Sequence, residues 1–208
     1  MPTGMLEAIQ EELRRRSRHA LDGPGWRRAS VLVPLYLREG DLYLLFTKRT
    51  EHLRHHKGQI CFPGGGQHDH DTSPQETALR EAQEEVGIQA GDVELLGSLD
   101  DIEVGPSRYL VTPIIGRIPY PYPFRVNHEE IAELIHIPLG ALLDPRNVRR
   151  EVWEADGLPL PIYFYSHGAH TVWGATARIL RQFLEVVSGL PREGPHPTGR
   201  PRQIIRRT

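Results

Sequence analysis

Residues 61–88 read CFPGGGQHDHDTSPQETALREAQEEVGI. Ser73-Pro74-Gln75-Glu76 has the marks of a helix start: a serine that can cap free amides, a proline suited to the first helical position, and a glutamate that completes a capping box. Gly87 supplies the left-handed residue that ends a helix, so the spacing predicts a helix from about Pro74 to Val86. Ala78, Leu79, Ala82 and Val86 fall on one side of it and should pack inward. Arg80, Glu81, Glu84 and Glu85 fall on the other flank, where the i, i+3 and i+4 spacing gathers three carboxylates. Like charges at that spacing oppose folding, and a divalent cation reverses the sign. Hard oxygen donors favour Mg²⁺ or Mn²⁺; a solvated glutamate face is the plainer alternative. Gly64-Gly65-Gly66, just upstream, gives backbone that can approach a ligand closely and adopt positive φ. Such backbone beside an acidic helix suits metal-assisted hydrolysis of a phosphoanhydride, in which the cation polarises phosphoryl oxygens and lowers the pKa of an attacking water.

Around this segment, 208 residues with 38% hydrophobic and 25% charged content suit one globular domain. A formal net charge of −2 gives no reason to expect nucleic-acid binding. The single cysteine, Cys61, allows no internal disulfide and no CxxC zinc site, and it fits a reducing, cytoplasmic setting. No apolar run approaches the roughly 20 residues of a membrane span. The N-terminus lacks the apolar stretch of a signal peptide; Met5, Leu6, Ile9 and Leu13 instead recur at the spacing of an amphipathic packing helix. Residues 29–37 and 42–49 read as strands joined at Glu39-Gly40-Asp41. Further strands are expected near Gln59–Phe62, at 93–102, at 109–118 and at 160–167. Residues 128–143 carry a helical segment and a turn, and 171–187 form a strongly periodic final helix. Without regular βαβ alternation, this order argues for an α+β or layered α/β/α domain. The division expected is an N-terminal helix and connector (1–27), a main domain (28–187) and a flexible Pro/Arg-rich tail (188–208).

The run from Arg80 to Ile88 resembles the second half of the Nudix box, Gly-x5-Glu-x7-Arg-Glu-U-x-Glu-Glu-x-Gly-U, where U is apolar. The first half departs from it. Counted strictly back from Arg80, the box glycine falls on Gly66 and its isolated glutamate on Thr72; with one inserted residue they fall on Gly65 and Asp71. Upstream, LLFTKRTEHLRHHKGQICFPGG (44–65) is similar to the signature of the coenzyme A pyrophosphatase branch of that family. Leu45, Thr47, Arg49, Leu53, Arg54, Gly58 and Phe62-Pro63-Gly64-Gly65 coincide with it, and Thr50 stands for its serine. Residues 126–143 and 173–180 resemble later blocks of the same branch.

The resemblance implies a Nudix fold, an α/β/α sandwich with a mixed β-sheet. It implies Mg²⁺ or Mn²⁺ on Glu81, Glu84 and Glu85 beside Gly65, and Arg80 orienting the glutamates. Cleavage of coenzyme A or acyl-CoA to 3′,5′-ADP and (acyl-)4′-phosphopantetheine is the implied reaction. Alternatives are another nucleoside diphosphate derivative such as ADP-ribose, or a non-catalytic nucleotide-binding module. Arg49, Arg54 and Lys57, with Gly64 and Gly65, are candidates for substrate binding, since an arginine fork matches phosphate oxygens. The general base is open among Glu84, Glu85, Glu129, Glu130 and Glu133. His52, His55, His56, His68 and His70 read as loop histidines near an anionic ligand rather than zinc ligands. Cys61 reads as a small buried thiol, and Trp173 as core. A homodimer is compatible with the sequence, which does not determine oligomeric state.

Overall fold

The run SVLVPLYL becomes the middle of a sheet because it is apolar on both faces. In the computed structural model, which describes residues 2–52, 57–155 and 157–189, it lies in β1 (Arg27–Arg38). Strand β1 pairs in antiparallel register with β2 (Asp41–Arg49) from Arg38↔Asp41 to Leu35↔Leu44. Beyond that point the two arms part, and the chain from residue 60 to 66 runs into the opening. There β3 (Ile60–Cys61) pairs with β2 at Thr47 and Lys48, while β4 (Gly64–Gly66) pairs with β1 at Ala29–Val31. The glycine loop is thus held by main-chain bonds to both arms of the opened hairpin, reinforced by the Leu32 amide donating to the Pro63 carbonyl at 2.8 Å.

The helix of the opening segment follows as α2 (Pro74–Val86), with the bounds its caps predict. Ser73 accepts from the Glu76 amide, and Gly87 takes the left-handed conformation at φ 77°. Glu76 reaches back to the amide and hydroxyl of Thr72 rather than to the Ser73 amide. Strands β5 (Glu94–Ser98) and β6 (Ile102–Val104) then flank β7 (Tyr109–Arg117), which runs parallel to β1 from Arg27↔Tyr109 to Leu35↔Arg117. The next segment holds the expected helical piece and, ahead of it, a strand that the sequence does not indicate. Residues Ile131–Pro138 form a strand, β8, on the free edge of β2, followed by a short helix, α3 (Leu139–Leu143). Ile131, Leu134 and Ile135 mimic a helical stripe. The β-branched Ile131, Ile135 and Ile137 are nevertheless all buried in a strand, where cross-strand partners decide.

The eight strands from β1 to β8 form one mixed sheet. On one face, Ala78, Ala82 and Val86 of α2 pack with Leu32, Tyr36, Leu45 and Ile114; the two alanines allow the helix to lie close. The other face carries Leu6, Ile9 and Leu13 of α1 (Pro2–Arg15) and Ala177, Leu180 and Phe183 of a last helix, α4 (Gly174–Ser188). This is the α/β/α sandwich. A separate antiparallel sheet of β9 (Val148–Ala155), β10 (Leu158–His167) and β11 (His170–Val172) joins the second face through Tyr165 and Val172. Trp173, expected in the core, is 40% exposed and stacks on Phe164, because it caps the start of α4 rather than lying on its apolar face.

Candidate active site

The flank of α2 opposite its alanines splits into unlike parts. Glu84 is exposed, whereas Glu85 is 3% exposed and lies against the glycine loop. Its Oε2 accepts from the Gly64 amide at 3.2 Å and its Oε1 from Arg49 Nη1 at 3.1 Å. Burial pushes the Glu85 carboxyl up to about 7, against the opposing pull of Arg49 and the Gly64 amide. Glu81 packs on Gly65 so closely that a Cβ there would lie 2.6 Å from its carboxylate atoms; burial raises its proton affinity too, and Arg80 lowers it.

Arg80 holds the helix carboxylates together. One Nη1 reaches Glu81 at 2.9 Å and Glu84 at 3.2 Å, and Nη2 donates to the Gly66 carbonyl at 2.9 Å. Its other side is a fork on Asp71, Nε to Oδ1 at 3.1 Å and Nη2 to Oδ2 at 3.0 Å. Asp71 is buried and also accepts from the His68 amide and the Thr77 hydroxyl. Those bonds, led by Arg80, hold its carboxyl well below the usual range despite burial. The position whose counterpart was ambiguous in the sequence is therefore the anchor of Arg80.

Glu130 arrives from the far side of the helix. The C-terminal end of α2 is closed by residues 125–127, with the Arg125 amide on the Val86 carbonyl and the Asn127 amide on that of Glu85. The Thr50 amide then takes the Glu130 carbonyl at 2.8 Å, and Arg49 Nη2 meets Glu130 Oε2 at 3.5 Å. Arg49, expected at substrate phosphates, thus spans Glu85 and Glu130. Glu129 is exposed. Glu133 pairs in register with Lys48, one residue from Arg49, and so projects to the other face of the sheet, where it meets His170 at 3.3 Å. Lys57 is on that side as well, lining an open cavity of about 330 Å³ with Lys48, Gln59, His170 and Trp173. Arg54, His55 and His56 lie outside the described residues. Cys61 sits beside the Thr47 hydroxyl at 3.3 Å, and burial pushes its thiol up to about 11.

The donor set suits a hard divalent cation: carboxylates of Glu81, Glu84 and Glu85 on one helix flank, next to glycine backbone, with Asp71 and Glu130 adding charge against two guanidiniums. Among the described residues, no three carboxylate, imidazole or thiol side chains converge as they stand. Arg80 bonds both Glu81 and Glu84, and Arg49 and the Gly64 amide bond Glu85.

Comparison with known proteins identifies the family. The NUDIX domain model matches residues 26–137. Nudix hydrolase NudL of Yersinia pestis (strain Pestoides F), described as uncharacterized, is 41% identical over 162 residues, 78% of this chain and 80% of that protein. The NudL of Yersinia pseudotuberculosis (serotype O:1b) is similar to the same degree. Among solved structures, the Nudix hydrolase RenU of M. smegmatis is similar at a TM-score of 0.47 and 21% identity, over 58% of this chain and 83% of that one, a likeness too slight to bear on chemistry. The family match and the extent of the NudL relatedness establish that the chain belongs to the Nudix hydrolase family.

Proposed function

We propose that this Nudix hydrolase cleaves the diphosphate linkage of coenzyme A or acyl-CoA, giving 3′,5′-ADP and 4′-phosphopantetheine or its acyl form. The observation that supports the substrate is the run 44–65, which resembles the coenzyme A pyrophosphatase signature and leads directly into the glycine loop beside Glu81 and Glu85. Glu81, Glu84 and Glu85, with Gly65, would hold Mg²⁺ or Mn²⁺, which supplies charge neutralisation at the phosphoryl oxygens and a more acidic water.

The chain's own groups do the rest. Asp71 fixes Arg80, and Arg80 fixes the spacing of Glu81 and Glu84. The Gly64 amide fixes Glu85. As water forms its bond to phosphorus and the anhydride P–O bond breaks, Glu130 takes the proton in this reading. Glu130 is half-exposed and shares Arg49 with Glu85, whereas Glu133 lies across the sheet. A positioned base contributes roughly 10²–10⁴-fold.

The test is product analysis of purified protein with coenzyme A, an acyl-CoA and ADP-ribose, each with Mg²⁺ and with Mn²⁺. Release of 3′,5′-ADP from the first two, at higher kcat/KM than ADP-ribose turnover, is expected. Coenzyme A left intact with either metal sinks the substrate assignment.

A further inference from the structure

Both arginines of the site pair with carboxylates expected to meet a cation, but they are anchored differently. Arg80 keeps a forked bond to buried Asp71 and a bond to the Gly66 carbonyl that involve neither Glu81 nor Glu84. Taking those two glutamates away would leave it in place. Among the described residues, Arg49 has a weaker reserve, a hydrogen bond with the Cys61 thiol, which is a poor acceptor. Its carboxylate partners among the described residues are Glu85, at 3.1 Å, and Glu130, at 3.5 Å. Its fork is divided between them, one Nη to each, so it holds neither in the bidentate geometry that makes such pairs strong.

Position sharpens the contrast. Arg49 ends β2 where the β1–β2 hairpin has opened to admit the glycine loop. The Arg49 side chain is 21% exposed and that of Glu85 4%, while Glu130 at 42% marks the way to solvent. A cation accepted by Glu85 would repel the guanidinium beside it and remove one of its two counter-charges. The half-freed fork would then face solvent beside Glu130, where a diphosphate offers it a better-matched partner than one half-exposed carboxylate.

We propose that Arg49 is an exchangeable counter-ion: it neutralises Glu85 and Glu130 until a divalent cation takes Glu85, and the released guanidinium then binds the substrate's diphosphate. Metal and substrate binding are thereby coupled through one side chain, in the order metal first. The inference rests on the metal-dependent reading above but not on coenzyme A being the substrate.

The experiment compares wild type, Arg49→Gln and Arg49→Lys without turnover. Mn²⁺ binding is followed by the loss of the free-ion electron paramagnetic resonance signal. Binding of methylenediphosphonate, a diphosphate that water cannot cleave, is measured at saturating Mg²⁺. Exchange predicts that Arg49→Gln binds Mn²⁺ about tenfold tighter, since a competing charge is gone, and methylenediphosphonate about tenfold or more weakly. A fixed structural buttress predicts the opposite sign for the metal, because Glu85 would lose its support. Mn²⁺ affinity equal to or below wild type in Arg49→Gln, or unchanged diphosphonate affinity, therefore overturns the exchange. Should thermal unfolding show that Arg49→Gln does not fold, the charge-conserving Arg49→Lys decides. It should bind diphosphonate more weakly with Mn²⁺ affinity no lower than wild type; weaker Mn²⁺ binding overturns the proposal. Wild type that binds no Mn²⁺ overturns the metal reading as well, whereas coenzyme A left intact by a protein that shows the exchange removes only the substrate.

Discussion

Asp71 accepts from four donors in a buried setting, Arg80 Nε and Nη2, the His68 amide and the Thr77 hydroxyl. Asp71→Asn replaces a charge partner of Arg80 with an amide that cannot accept from all of them. Breaking a buried pair at one end is costly, so urea unfolding should show a loss of about 3 kcal/mol or more. A loss below about 1 kcal/mol would mean that Arg80 does not depend on this anchor. Glu84 offers the contrast. Its side chain is 57% exposed, so Glu84→Gln should leave the unfolding midpoint nearly unchanged while lowering the rate by orders of magnitude at limiting metal; near-wild-type turnover there counts against the site. Gly65→Ala acts between these two. The added Cβ collides with the movable end of Glu81 rather than with backbone, so the fold should persist while Mn²⁺ affinity falls several-fold, and unchanged affinity would detach Glu81 from the metal. The carboxylate spacing on α2 was legible in the sequence because helical geometry is regular. The partners of Arg49 and Asp71 were not, since both depend on loops whose path only the sheet determines.

At the level of elements, legibility follows the source of the structural signal. Helix α2 was readable to its end residues because Ser73, Pro74 and Gly87 act locally. Residues 128–143 carry the expected helical segment as α3, but strand β8 ahead of it is not legible because its apolar residues fit both periods, and only pairing with β2 separates them. Strand β9, in VRREVWEA, is not legible in the sequence because its alternation is masked by charge and only pairing with β10 defines it. Helix α2 also carries a definite pH signature. Glu85, raised from the usual 4.5 to about 7 by burial, binds its proton more tightly in the folded chain than in the unfolded one. The associated stability is fully present below about pH 4.5 and is lost as pH rises through 7, an effect of about 3 kcal/mol. Asp71, shifted the other way, acts only below the ordinary aspartate range and is silent in that window. Metal-free protein in a chelator should therefore unfold at lower urea at pH 8 than at pH 5, and added Mg²⁺ at pH 8 should recover most of the difference. Stability that climbs from pH 5 to pH 8 in the chelator would show that Glu85 is not desolvated.

Across the whole molecule, the sheet separates chemistry from support. Successive residues of its central strands face opposite layers, Leu32 toward α2 and Val33 toward α1 and α4. The carboxylates and both arginines occupy the first side. The second is sealed partly by α1, which seats Leu6, Ile9 and Leu13 in the larger core and lies so close to β5 that a Cβ on Gly97 would be 2.8 Å from that of Leu13. That apolar stripe was visible at helical spacing, although Met5, grouped with it, is 43% exposed because it lies at the margin of the buried face. The two-layer arrangement makes stability and catalysis separable. Ile9 is 2% exposed, and Ile9→Ala should cost about 3 kcal/mol through lost burial and the cavity left behind. Met5→Ala should cost well under 1 kcal/mol. Because the sheet stands between α1 and Glu81, Glu84 and Glu85, the Ile9 variant should keep wild-type kcat/KM and Mn²⁺ affinity wherever it remains folded. Urea unfolding with activity assays well below the unfolding transition checks both parts. A fall in kcat/KM under those conditions would mean that α1 packing reaches through β1 to the glycine loop, and the division of labour between the two faces would not hold.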